Sequence, residues 1–358
     1  MPRVGRDHEC SEFDPRGLPA CHSNGGDGVQ SEDVRKPGGI ESCLFGPLDL
    51  SNDVVDALAA SNADAEPDLH CVPPGCGAEP TQLPRSGEAR PRGRLRCVPY
   101  ARVNGAHIYY RQQGSGPDLV LIHGAGGNHL AWWQQVAAFA PRYRVTTYDA
   151  RGWGLSRGDM AVGRTTLGTD LLALLQHLGI ERAHIVAQSM GGRAVAGLAR
   201  LAPERIASLV LCGTTAGATN DRIRAMQQEL REDRGGASLR EQALAPGFEA
   251  EEPALALLYR QINALNPPRP RGLLGPPPPG YRGSMHELLS SLGVPILYVV
   301  GEYDAITPPE MIREAASLVS GARVHVIAGA GHSCYFERAA EWNAVVGAFL
   351  EAVERGNW

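Results

Sequence analysis

Lysine is nearly missing from this chain of 358 residues: Lys36 stands alone, and arginine supplies the remaining basic side chains. The formal net charge is −5, and no basic stripe interrupts that mild acidity. Binding to nucleic acid needs clustered Lys and Arg against the phosphates, so such a partner is excluded. No window approaches the roughly 20 apolar residues of a membrane span, and the opening Met1-Pro2-Arg3-Val4-Gly5-Arg6-Asp7 leads into no apolar signal core. The expectation is a cytoplasmic protein without a membrane partner. Cysteine is sparse where the chain is well patterned: six of the eight (Cys10, Cys21, Cys43, Cys71, Cys76 and Cys97) fall in the first 97 residues. His70-Cys71 with Cys76 lacks a second matched pair, so the spacing fits no zinc site and these read as free thiols. No metal and no cofactor are expected.

Residues 1–97 also lack sustained apolar periodicity. Phe13 and Phe45 are their only aromatics, and Gly and Pro recur throughout. Such a stretch cannot bury enough surface to offset about 1–2 kcal/mol of backbone entropy per ordered residue. It reads as a disordered extension without a catalytic role, with one short helix possible over Leu48–Ala60.

From residue 98 onward the pattern sharpens. Asn104-Gly105, flanked by Ala101–Val103 and Ala106–Arg111, signals a type I′ hairpin. Strands are expected over Asp118–Ile122, Tyr143–Tyr148, Ala183–Gln188, Ile206–Cys212, Pro295–Val300 and Arg323–Ala328. Helices are expected over Trp132–Phe139, Thr166–Leu178 (stopped by Gly179), Met190–Leu201, Pro308–Val319 and Ala339–Val353. That alternation predicts an α/β fold: a mostly parallel, doubly wound sheet flanked by helices. Between about 214 and 292 the alternation stops. Helices over Asp221–Glu232, Glu251–Asn266 and Ser284–Leu292, broken by prolines that include Pro276–Pro279, read as an inserted helical cap.

Four short motifs carry the chemistry. Ser189, in Val186-Ala187-Gln188-Ser189-Met190-Gly191-Gly192, stands where a strand turns into a helix, so its hydroxyl projects above the sheet edge. Strand and helix run close at such a turn, and the flanking Ala187 and Gly191 are small. A serine hydroxyl attacks well only if a base takes its proton. His332, after Gly329-Ala330-Gly331, can swing back over that edge, and histidine is the side chain suited to accept and return a proton. Asp304, after the strand ending at Val300, could hold the imidazole in the required tautomer; Glu302 is its rival. Asp149 precedes the serine and reads as a brace for its own loop, with Arg151 as an available partner. His123-Gly124-Ala125 and the residue after the serine suggest an oxyanion hole from the backbone N–H groups of Ala125 and Met190. The glycine-rich turn lacks the dinucleotide-binding fingerprint. Of Trp132 and Trp133, at least one is expected to be buried.

Together these residues resemble the α/β-hydrolase superfamily, in the branch with a helical cap, over about residues 100–354. The resemblance implies a nucleophile–acid–base triad of Ser189, Asp304 and His332, and a small-molecule ester or lactone as substrate. Dehalogenases and epoxide hydrolases of this fold carry an aspartate as nucleophile, which Ser189 argues against. Three readings remain at this stage. They are cleavage of an ester or lactone through an acyl-enzyme, hydrolysis of a carbon–carbon bond in a diketone-like acid, and a ligand sensor that signals through the cap. Non-haem haloperoxidases share the same residues.

Overall fold

The structure, a computed structural model, describes residues 99–160, 166–233, 241–268 and 285–358. The expectations for residues 1–97, including the Leu48–Ala60 helix, and for the Pro276–Pro279 run lie outside them.

The chain enters through β1 (Tyr100–Val103) and β2 (Ala106–Gln113), paired antiparallel with Val103 opposite Ala106. Asn104 and Gly105 between them both have positive φ (48° and 70°), the conformation of a type I′ turn. Next come β3 (Asp118–Ile122), β4 (Arg144–Tyr148), the two-residue β5 (Arg157–Gly158), β6 (Ala183–Gln188), β7 (Ile206–Cys212), β8 (Ile296–Gly301) and β9 (Arg323–Ile327). The sheet order is β1-β2-β4-β3-β6-β7-β8-β9, with β5 on β2. Every pair from β4 to β9 is parallel.

The inner parallel strands bury both faces, and alternation sorts their side chains between two cores. Val120, Ile122, Ile185, Ala187, Leu209, Leu211, Tyr298 and Val300 face one. Leu119, Leu121, Val186, Val210, Cys212, Leu297 and Val299 face the other. The first core is closed by α2 (Leu167–His177), α3 (Gly191–Leu201) and α8 (Pro309–Ser317); the second by α1 (Trp133–Phe139) and α10 (Ala339–Glu354). Each large aliphatic side chain taken fully from water contributes about 1.5–3 kcal/mol. α2 ends where Gly179 turns left-handed (φ 64°) and Ile180 folds back, its N–H on the Leu175 carbonyl, to become fully buried. α2 and α3 cross at two glycines: a Cβ on Gly168 would stand 2.5 Å from Gly197 Cα. Only the absence of both side chains permits that approach.

Between β7 and β8 lie α4 (Asp221–Glu232), α5 (Phe248–Glu251), α6 (Pro253–Ala264) and α7 (His286–Ser291). The helix expected from Glu251 is instead split. Glu252 leaves helical geometry (φ −131°, ψ 62°), and Pro253 opens the next helix, where its missing N–H costs nothing. The single-turn α5 and α9 (Cys334–Glu337) and the tiny β5 were not anticipated. Among the described residues no helix is long and apolar enough to cross a membrane.

A buried ion pair ties the first hairpin to α2. Arg151 donates to both oxygens of Asp170 (2.9 Å each) and to the Asn104 carbonyl, while Asn104 Nδ2 donates to Asp170 Oδ1. Both charged side chains are only 4% exposed. Arg151→Ala should therefore destabilise the protein by about 3–5 kcal/mol, because it strands a buried carboxylate. Urea unfolding measures this. A double change of Arg151→Met with Asp170→Leu should recover part of the loss, and a single variant as stable as the parent would refute the account.

Candidate active site

The turn at Ser189 follows from what surrounds it. β6 is buried along its whole length and ends at Gln188; α3 begins at Gly191. Ser189 between them is left-handed (φ 49°), a conformation that costs a non-glycine residue of order 1–3 kcal/mol. The strain is held by packing: Ser189 N–H donates to the Cys212 carbonyl at 2.8 Å, and Gly192 N–H to the Ser189 carbonyl. A Cβ on Gly191 would meet the Ile122 carbonyl at 2.8 Å, and one on Gly192 would collide with Thr214. The need for Gly191 was legible; that for Gly192 was not. Ser189 remains partly exposed on a buried frame, and Met190 stands at the N-cap of α3, where first-turn N–H groups lack helical partners.

Asp304 and His332 meet directly. His332 Nδ1 lies 2.8 Å from Asp304 Oδ2, and both residues are buried. The carboxylate is fixed from its other side: Oδ1 accepts the N–H groups of Ile306 and Thr307, and Oδ2 the Thr307 hydroxyl, each at 2.8 Å. Glu302 points elsewhere, accepting from Gly329 N–H. A Cβ on Gly213 would stand 3.0 Å from His332 Nδ1 and 3.3 Å from Asp304 Oδ2. Gly213 directly follows Cys212, whose carbonyl holds Ser189, and Gln188 Nε2 donates to the His332 carbonyl at 3.4 Å. The three residues thus share the end of β7.

The histidine loop is anchored by a residue that sequence reasoning missed. Glu337 is buried, and its carboxylate accepts N–H groups from Ala245 (2.7 Å) and Gly331 (3.1 Å). Burial pushes its carboxyl above the ordinary range, against the pull of those backbone donors. Cys334 faces Cys212 with the sulfurs 3.5 Å apart. That contact, followed by burial, holds the Cys334 thiol well above its usual value.

The loop of Ala125 is braced from several directions. His123 Nε2 accepts from Ala150 N–H, which leaves Nδ1 to donate to the Gly124 carbonyl (2.7 Å). Trp153 Nε1 donates to the Ala125 carbonyl. A Cβ on Gly124 would collide with Gln188 and stand 3.2 Å from Ser189 Cβ, so the loop passes beside the serine. Asp149 does brace its loop, but not through Arg151, which turns to Asp170. Its carboxylate accepts from His129 N–H (2.6 Å) and Leu155 N–H (2.7 Å), with His129 Nδ1 at 2.8 Å. Trp132 is fully buried, whereas Trp133 is 45% exposed.

α6 lies against this region. Asn128 Nδ2 donates to the Ile262 carbonyl, Asn266 bridges Gly127 O and Gly154 N–H, and Tyr259 shares a 2.8 Å hydrogen bond with Ser333, next to His332. Among the described residues no cluster of three or more His, Cys, Asp or Glu is arranged to hold a metal ion.

The family model for the alpha/beta hydrolase fold matches residues 117–339. A 2-hydroxy-6-oxononadienedioate/2-hydroxy-6-oxononatrienedioate hydrolase of Paraburkholderia phymatum is 28% identical over 264 residues, 68% of this chain and 90% of that protein. A pimeloyl-[acyl-carrier protein] methyl ester esterase of Pectobacterium carotovorum is also 28% identical, over 69% of this chain and 100% of its own length. Among solved structures, the enol-lactonase of Burkholderia xenovorans superposes with a TM-score of 0.57 at 27% identity, covering 71% of this chain and 100% of that one. Sequence, sheet order and strand-end loops agree: the chain belongs to the α/β-hydrolase fold family.

Proposed function

We propose that this protein is a serine hydrolase that cleaves a small carboxylic ester or lactone through an acyl-enzyme. The observation that supports it most is the Asp304–His332 hydrogen bond, seated on Gly213 beside the left-handed Ser189. In this reading Asp304 keeps the His332 proton on Nδ1, which leaves Nε2 as the base. His332 accepts the Ser189 proton as the oxygen attacks the carbonyl carbon. The oxyanion takes hydrogen bonds from the backbone N–H groups of Ala125 and Met190, each worth about 2.7–4 kcal/mol by analogy with a tested donor. His332 then returns the proton to the leaving alkoxide, and the acyl group stays on Ser189. Water attacks that ester, giving its proton to His332, and the acid departs as Ser189 recovers its hydrogen. In a lactone the alcohol stays tethered to the acyl group until the acid is released. The helices inserted between β7 and β8 serve as a cap, with α6 over the site.

Hydrolysis of a carbon–carbon bond is the second reading, favoured by the Paraburkholderia relative matched over 90% of its length. A fluorophosphonate probe with peptide mapping tests the shared nucleophile: one equivalent of tag on Ser189 is expected, and an untagged Ser189 in folded protein would overturn both. Comparing p-nitrophenyl acetate with a ring-cleavage dienoate then separates the two, with faster ester turnover expected.

A further inference from the structure

The two residues that flank His332 are both held by the chain inserted between β7 and β8. On one side, Gly331 N–H donates to Glu337, whose carboxylate also takes the N–H of Ala245. On the other, Ser333 N–H donates to the Ala243 carbonyl at 3.0 Å, and its hydroxyl shares the 2.8 Å bond with Tyr259 of α6. The main chains touch as well. A Cβ on Gly331 would collide with Ala245 N and stand 2.6 Å from the Leu244 carbonyl carbon. Residues 243–245 and α6 therefore reach the histidine loop from two directions.

Glu337 is a costly residue with which to make such a tie. It is 5% exposed, burial disfavours its charged form, and the neighbouring Arg338 forms its ion pair with Glu251. What the carboxylate gains is reach. It accepts from two main-chain segments, at Ala245 and Gly331, that no helix or strand pairs. It is also fixed to the loop it holds, because the N–H groups of Phe336 and Glu337 both donate to the Ser333 carbonyl. Tyr259 completes the contact by packing edge-on against the Phe336 ring, with centroids 5.2 Å apart.

We infer that Glu337 and Tyr259 are positioning residues that mount the proposed base on the insertion. His332 keeps its place beside Asp304 only while residues 243–245 and α6 stay docked. The insertion is then part of the catalytic framework as well as a cover, and displacing it takes the base out of line. The inference rests on the hydrolase reading for the role of His332, but its test is separable.

E337Q is the sharpest probe. Its NH₂ replaces one acceptor, so the N–H of Gly331 or Ala245 must face a donor. With p-nitrophenyl acetate, kcat should fall about tenfold while KM stays nearly unchanged. ¹H–¹⁵N spectra follow the Nδ1 proton of His332 against that of His129, which Asp149 holds at 2.8 Å. The His332 signal should move or weaken and the His129 signal should stay, whereas a generally loosened protein would disturb both. Should thermal unfolding show that E337Q does not fold, E337D is read by the same signals, since it keeps the charge but shortens the reach. For α6, Y259F and S333A should each lower kcat about fivefold, and the double variant no further. A folded Glu337 variant with parental kcat and an unmoved His332 signal overturns the role of Glu337. Additive losses in Y259F/S333A, or none in either single variant, overturn that of Tyr259. If the parent cleaves no ester yet the Glu337 variant shifts His332 and spares His129, the mounting stands and the hydrolase reading falls.

Discussion

Ser189→Ala should lower ester turnover by about three to six orders of magnitude, with KM and stability nearly unchanged. The size of the effect follows from what is lost. Without the hydroxyl no acyl-enzyme forms, and only positioning and the backbone donors remain to assist a direct attack by water. Stability is expected to hold because alanine occupies the left-handed backbone at 189 no worse than serine, and the Cys212 and Gly192 hydrogen bonds use main-chain atoms alone. Steady-state kinetics with thermal unfolding of the same sample tests both halves. Near-parental hydrolysis by the variant would remove Ser189 from the mechanism.

Asp304→Asn should cost about 10⁴ in kcat, the loss seen when a triad carboxylate becomes an amide. The surrounding hydrogen bonds dictate how. Ile306 and Thr307 aim N–H groups at Oδ1, so the amide oxygen must take that position. The NH₂ group is then left facing His332 Nδ1 at the Oδ2 position. Two donors cannot share that contact, so the imidazole must carry its proton on Nε2, where it can no longer accept one from serine. ¹⁵N chemical shifts of the ring would report the changed tautomer beside the kinetic loss. An asparagine variant that retained even a tenth of parental kcat would exclude Asp304 as the orienting group.

Local signals carried most of the fold and the proposed nucleophile, base and acid into the sequence. Asn104-Gly105 announces its hairpin because so few residue pairs tolerate two positive φ values. β6 and β7 are legible to the residue because a strand covered on both faces is mostly apolar; the interruptions within them, His184 and Ser208, hydrogen-bond to each other. Ser189, Asp304 and His332 each sit just beyond such a run. The remainder depends on loops meeting in space. Arg151 lies two residues from Asp149 but bonds Asp170, because the chain turns sharply between them and α2 presents its carboxylate. Asn128 and Asn266 have no periodicity and form no motif; their roles exist only once α6 reaches the serine's loop. β5 spans two residues and α5 and α9 four each, about one period of their patterns, so no repeat could reveal them.

The glycine crossing of α2 and α3 has a consequence for how this enzyme can change. α3 carries the Ser189 turn at its head, and its middle rests backbone to backbone on a neighbour. One methyl at 168 or 197 would lever the head sideways, so natural variation has little room to re-aim the serine from that side. New substrate ranges would therefore arise through the inserted helices, above a foundation that tolerates almost no growth.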